Sequence, residues 1–173
     1  MIARLVTLTT DHAEMLEAFL ADFDSAPGEL HGYFCPRSAS IDQVVTALNG
    51  WSEGRNLGEG WVPCSTWFWR EGDTLQGVIN IRHYLSPALE KTGGHIGYSV
   101  APSHRRKGVA KRMLGAAIEH CRRLGIERAF LTCDAKNTGS WRAIEANGGV
   151  METEAWHEKG QRVQRSYWID LDG

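Results

Sequence analysis

Residues 93–110 read GGHIGYSVAPSHRRKGVA, and this run constrains the chain more than any other. Gly93 to Val100 alternates as a strand, Pro102 breaks it, and a helical apolar pattern follows from Lys111. A strand, a tight basic turn and a helix start are therefore expected in immediate succession. The first turn of a helix leaves backbone N–H groups without internal acceptors, and the helix dipole makes that end positive. Arg105, Arg106 and Lys107 add three cations to the same turn, and Gly108 lets the backbone approach a ligand closely. The arrangement suits a phosphate-bearing ligand.

The rest of the chain is consistent with one soluble domain. Its 173 residues bury a sizeable core without staples or metals. A formal net charge of −2 gives no reason to expect nucleic acid or an anionic membrane as partner. No apolar run reaches membrane-span length and no signal peptide pattern opens the sequence, so a cytoplasmic protein is expected. Cys35, Cys64, Cys121 and Cys133 are widely spaced and read as reduced structural thiols. No pair of histidines shows ligand spacing on an expected element, so no metal site is expected.

Taken in order, Ile2 to Leu8 reads as a strand, and Thr9-Thr10-Asp11 caps a helix carrying Met15, Leu16, Phe19 and Leu20. Ser25 to Ser40, with Pro27, Gly28, Gly32 and Pro36 around Tyr33 and Phe34, reads as a loop at a substrate mouth. A second helix carries Ile41, Val44, Val45 and Leu48 and ends near Asn49-Gly50. A hairpin follows, with Trp67 and Trp69 on one face, Phe68 on the other, and Glu71-Gly72-Asp73 as its turn before Leu75 to His83. Ile79 and Ile81 share a side, Val78 and Asn80 the other. After the central strand, Val109, Met113, Leu114, Ala117, Ile118, Cys121 and Leu124 form the stripe of a helix stopped by Gly125. Ala129 to Cys133 reads as a buried strand parallel to the one before, Thr138 to Ala146 as a helix, and Val150 to Trp156 and Val163 to Leu171 as a closing hairpin whose exposed edge suits a homodimer. The order is β-α-α-β-β-β-α-β-α-β-β.

The turn Arg105-x-x-Gly108-x-Ala110, the strand Tyr98-Ser99-Val100 before it, and Asn137-x-x-Ser140 after the next strand together resemble the GCN5-related N-acetyltransferase (GNAT) superfamily. From Gly60 to the C-terminus the text is similar to a bacterial branch of functionally unassigned acetyltransferases. The resemblance implies the mixed α/β GNAT fold: a central, mostly antiparallel sheet with a splayed parallel strand pair and about four helices. It implies acetyl-CoA as co-substrate, its pyrophosphate wrapped by Arg105, Arg106, Lys107, Gly108, Val109 and Ala110. The arm would lie on the main chain of Tyr98, Ser99 and Val100, with Asn137 and Ser140 on the far side. It also implies direct acetyl transfer to the amine of a small molecule or peptide in a ternary complex.

The family's usual glutamate and tyrosine are missing, their positions falling on Gly94, Ile96 and Ile144. His95 is the local substitute for the base, with a strand histidine bonded to backbone as the alternative, and Tyr98 is the candidate acid. Arg82 and His83 lie one strand away, Arg82 suited to an acceptor carboxylate. Cys133 at a strand end is not expected to be a nucleophile, because the family uses no covalent enzyme intermediate. The tryptophans Trp51, Trp61, Trp67 and Trp69 read as packing, or as an aromatic acceptor pocket. A non-catalytic acyl-CoA-binding domain is the competing reading. A dinucleotide-binding oxidoreductase is excluded by the missing G-x-G-x-x-G after the first strand.

Overall fold

The computed structural model describes residues 2–26, 28–30 and 39–171. Two antiparallel sheets organise it. The first has the order β1-β2-β3-β4, with β1 at Arg4–Val6, β2 at Cys64–Glu71, β3 at Thr74–Arg82 and β4 at Ile96–Val100. The second has the order β5-β7-β6, with β5 at Arg128–Asp134, β6 at Val150–His157 and β7 at Arg162–Asp170. Four helices complete the chain: α1 (Ala13–Asp22), α2 (Ile41–Ser52), α3 (Val109–Arg123) and α4 (Thr138–Glu145). The element order is the expected one, and no helix among the described residues is long and apolar enough to cross a membrane.

Strand alternation sorts side chains onto two cores, one on each face of the first sheet. Trp69, Ile79 and Ile81 pack with the α3 residues Met113, Leu114 and Ala117 and with Leu131 and Tyr167 of the second sheet. Phe68 and Val78 face the other way, against Leu16 and Phe19 of α1 and Val44 and Leu48 of α2. The alternation expected for the Trp67-Phe68-Trp69 hairpin is the one observed, although a bulge at Trp69 and Arg70 interrupts the β2–β3 register.

Two helix boundaries differ from the expectation. α2 opens on Ser40, whose hydroxyl accepts the Gln43 amide while Gln43 Oε1 accepts the Ser40 amide. It runs past Asn49-Gly50 to Ser52, because Gly50 is buried inside the helix and the left-handed residue that ends it is Gly54. α3 begins at Val109 rather than Lys111, with Gly108 as its left-handed N-cap.

The two central strands lie in different sheets, and no parallel ladder joins β4 to β5 among the described residues. A single bridge between Gly94 and Leu131 links them, antiparallel at that point, with the His95 amide donating to the Phe130 carbonyl at 2.7 Å. The expected splay is present, and apart from this junction the ladder of each strand is made with its own sheet. Beyond the bridge the strands diverge, and the space between them opens toward the start of α3 and α4.

Candidate active site

The splay is floored by backbone. On either side of β4 the His95 carbonyl accepts from the Arg82 amide and the Ala101 amide donates to the Gln76 carbonyl, and within it the register pairs Gly97 with Asn80 and Ser99 with Val78. Alternate residues of an antiparallel strand direct their groups to the same side, so Gly97 and Ser99 bond to β3 while Tyr98 and Val100 turn theirs toward the splay. The Val100 carbonyl is taken by Arg105 Nε at 3.1 Å. The amide of Val100 and both backbone groups of Tyr98 are left to pair with an extended ligand.

A cavity of about 1050 Å³ fills the gap. Tyr98, Ser99 and Val100 line one wall, His104, Arg105, Arg106 and Gly108 to Lys111 the second, and Lys136 to Ser140 with Arg142 the third. That volume lies at the upper end for small-molecule sites and suits a long ligand. Two helix N-termini meet in it. The turn before α3 has Arg106 at φ 62° and Gly108 at φ 75°, left-handed conformations of the kind from which anion-binding nests are built. The first α3 bond among these is Arg112 N–H to the Gly108 carbonyl, so the amides ahead of it are unspent. Arg105, Arg106, Lys111, Lys136 and Arg142 face a single carboxylate, Glu29, among the described lining residues.

Of the residues singled out for the cofactor, Tyr98, Ser99, Val100, Arg105, Arg106, Gly108, Val109, Ala110, Asn137 and Ser140 line this cavity. Lys107 does not; its ammonium turns back to the Ser103 carbonyl at 2.9 Å. Asn137 caps α4, Oδ1 accepting the Ser140 amide at 3.1 Å. Arg105 also binds Glu29 at 2.6 Å, and the Ser99 hydroxyl donates to the Glu29 carbonyl. Glu29, Lys136 and Arg142 escaped the sequence reading. Lys136 adjoins Asn137, and Arg142 lies one helical turn beyond Thr138, so the α4 start was the available signal.

The candidate acid and base sit differently. The Tyr98 hydroxyl reaches Ser140 Oγ at 2.9 Å, and burial holds it well above the ordinary tyrosine range, so it keeps its proton. His95 is 8% exposed and lies outside the cavity lining. Its Nδ1 accepts the Phe130 amide at 2.9 Å, the geometry of the strand-histidine alternative. Burial, then the Arg82 charge, pushes its pKa down to about 4. Arg82 itself donates to the Gly93 and Gly94 carbonyls. Cys133 is pushed up to about 11 by burial and is protonated at neutral pH. Cys64, Cys121 and Cys133 are free thiols; Cys35, Tyr33 and Phe34 lie outside the described residues. Trp51 packs edge-on against Trp61, and Trp67 stacks on His120 at 4.3 Å; neither these nor Trp69 lines the cavity.

His95 gives a pH prediction with a definite sign. Native His95 resists the proton that the unfolded ring takes up near pH 6.5, so stability is complete above that value and declines as pH falls toward 4. The loss amounts to at most about 3 kcal/mol, from 1.36 kcal/mol per pKa unit. Urea unfolding between pH 4 and 7 measures it, and His95→Asn, which keeps an acceptor without titrating, flattens the slope. An equal slope in the variant assigns the effect to another group.

Comparison with known proteins follows the same geometry. No curated protein matches the sequence. RimL, a ribosomal L7/L12 alpha-N-protein acetyltransferase solved with coenzyme A, superposes with a TM-score of 0.70 at 18% identity, covering 98% of this chain and 96% of that one. An N-acetyltransferase from Staphylococcus aureus Mu50 gives 0.64 at 16% identity over 99% and 100% of the two chains. The protein yncA from Salmonella typhimurium, solved with its cofactor acetyl-CoA, gives 0.62 at 16% identity over 98% and 94%. These likenesses establish the fold. The model of the acetyltransferase (GNAT) family matches residues 39–148, well over half of the sequence and the whole of the cavity's β4, α3 and α4 walls, and the chain belongs to that family.

Proposed function

We propose that the protein is an acetyl-CoA-dependent N-acetyltransferase acting on the amine of a small molecule or peptide by direct attack in a ternary complex. One observation carries this reading: the free edge of β4 and the N-termini of α3 and α4 converge on one elongated cationic cavity. The cations and the nest suit the phosphates, and the unspent amides of Tyr98 and Val100 suit the amide-bearing arm, which adds to β4 as another strand would. The thioester carbonyl then lies near the closed end of the splay. Neighbours solved with coenzyme A and acetyl-CoA support the same donor. The free thiols support a reducing, cytoplasmic setting. The exposed strand β6, with Val150, Met151 and Trp156 open to solvent, is the surface on which a second copy would pair.

In this reading Tyr98 is the proton donor to the departing thiolate. The bond to Ser140 aims its hydroxyl, and burial keeps it protonated at every working pH. Free-thiol release from acetyl-CoA across a panel of amines is the test, with calorimetry of acetyl-CoA alongside. Tyr98→Phe is expected to lower kcat on the order of 10²-fold while leaving acetyl-CoA affinity within about twofold. Tight binding with no thiol release on any amine would establish the non-catalytic acyl-CoA-binding reading instead.

A further inference from the structure

The cavity's anion-holding groups are of two kinds, and they stand on different walls. The α3 wall offers backbone: the amides of Arg106, Lys107 and Gly108 meet no acceptor among the described residues, and the helix ladder begins at Arg112. The α4 wall offers side chains. There the amides of Lys136, Asn137, Thr138, Ser140 and Trp141 are already bonded, to acceptors on Asp134, Lys136 and Asn137. What this wall presents instead is two exposed cations, Lys136 and Arg142, neither of them ion-paired with a carboxylate among the described residues. Glu29, the carboxylate among the described lining residues, pairs instead with Arg105, which also donates to the Val100 carbonyl and is thereby spent.

The two walls are tied to each other. Asn147, just past α4, donates through Nδ2 to the Lys111 carbonyl at 3.0 Å and to the Ala143 carbonyl at 2.8 Å, which links the first turn of α3 to the last turn of α4. Arg142 is steadied by its neighbour, its guanidinium carbon lying 5.3 Å from the centroid of the Trp141 ring. The α4 cations therefore stand beside the cavity before a ligand arrives, and part of the entropy of holding them there is spent on folding.

A ligand that matches both walls carries one phosphate group that backbone amides approach closely and a second, separate anion within reach of two long cations. Acetyl-CoA has both on one ribose, the pyrophosphate at the 5′ carbon and a phosphomonoester at the 3′ carbon. Order along the ligand decides which goes where. The arm laid on β4 ends in the pyrophosphate, and β4 leads through Val100 and Ala101 straight into the α3 turn, so the pyrophosphate takes the free amides. The phosphomonoester lies beyond the ribose and carries about two negative charges near pH 7, the group that side-chain cations hold by charge-assisted hydrogen bonds. We infer that Lys136 and Arg142 form a subsite for the 3′-phosphate of the donor, and that through it the protein selects acetyl-CoA over the 3′-dephospho form. The inference deepens the acetyltransferase reading and rests on it.

Calorimetry with acetyl-CoA and with acetyl-dephospho-CoA tests this on the full chain. The wild-type protein should bind acetyl-CoA on the order of 10-fold more tightly, the size expected of two charge-assisted contacts at exposed positions. The double variant Lys136→Met, Arg142→Met keeps the apolar stems and discards both charges. Its affinity for acetyl-CoA should fall to within about twofold of that for the dephospho donor, whose own affinity stays at the wild-type value. Arg106→Met, on the α3 wall, should instead weaken both donors by the same factor, because both carry the pyrophosphate. Equal binding of the two donors by the wild-type protein overturns the inference. So does a double variant that weakens both donors alike, which would put the α4 cations on the pyrophosphate. Binding of neither donor by the wild-type protein is a separate outcome and removes the acetyltransferase reading as well. The donor comparison needs no variant, so a poorly folding double variant does not blunt it.

Discussion

Gly94→Ala should lose about 3 kcal/mol of stability in urea unfolding, a large effect for adding one methyl group. Gly94 has φ +64°, where a side chain alone costs about 1–2 kcal/mol. A Cβ built there falls 2.2 Å from the Phe130 carbonyl oxygen and 2.8 Å from its carbon, both backbone atoms that no rotamer change moves aside. The displaced carbonyl is the acceptor of the His95 amide, and the same residue's amide donates to His95 Nδ1. Gly94 thus lies at the backbone bridge that joins the two sheets among the described residues, and forcing it apart also releases the closed end of the splay. Weaker acetyl-CoA binding in calorimetry should accompany the lower unfolding midpoint. A variant of unchanged stability would mean that the bridge is not held closely.

The same contact explains a gap in the sequence. A family carboxylate at position 94 would have to project into the Phe130 backbone, and at position 96 into the α3-side core, where Ile96 is 2% exposed. Nothing local in the text reveals this, because the contact joins residues 36 positions apart and depends on how two sheets meet. The same reason hid the division into two sheets: alternation tells which face a side chain takes, not which strand its backbone bonds to.

Local chemistry was far more legible. The helix stripe of α3, the opposed faces of Phe68 and Trp69, and the left-handed Gly108 at a helix start all follow from neighbours within a turn or two, so periodicity and turn residues specify them. His95 shows the boundary between the two regimes. Its place on the chain suggested a base, whereas its nitrogen's partner on β5 is a tertiary fact. Lys136 and Arg142 join the cavity only because α4 folds back against β4, with Tyr98 bonded to Ser140 across the gap.

Gly108→Trp should fold and yet lose acetyl-CoA affinity by at least about 10²-fold, the reverse of the Gly94 result. Gly108 also has a positive φ, 75°, so the substitution carries about 1–2 kcal/mol of backbone strain. A Cβ added there meets nothing within 4 Å, and the residue lines the cavity, so the indole has open space to enter and no core to disrupt. That space is where the amides of the α3 start and the cations Arg105, Arg106 and Lys111 converge. Filling it with an apolar ring removes the close backbone approach on which phosphate binding depends. Gly108→Ala separates the two contributions: it carries nearly all of the strain and little of the bulk, so it should show the stability loss with most of the affinity retained. Calorimetry with acetyl-CoA and urea unfolding on both variants decide the matter. Unchanged affinity in Gly108→Trp would remove the turn from Arg105 to Ala110 as the phosphate site, whatever the rest of the cavity binds.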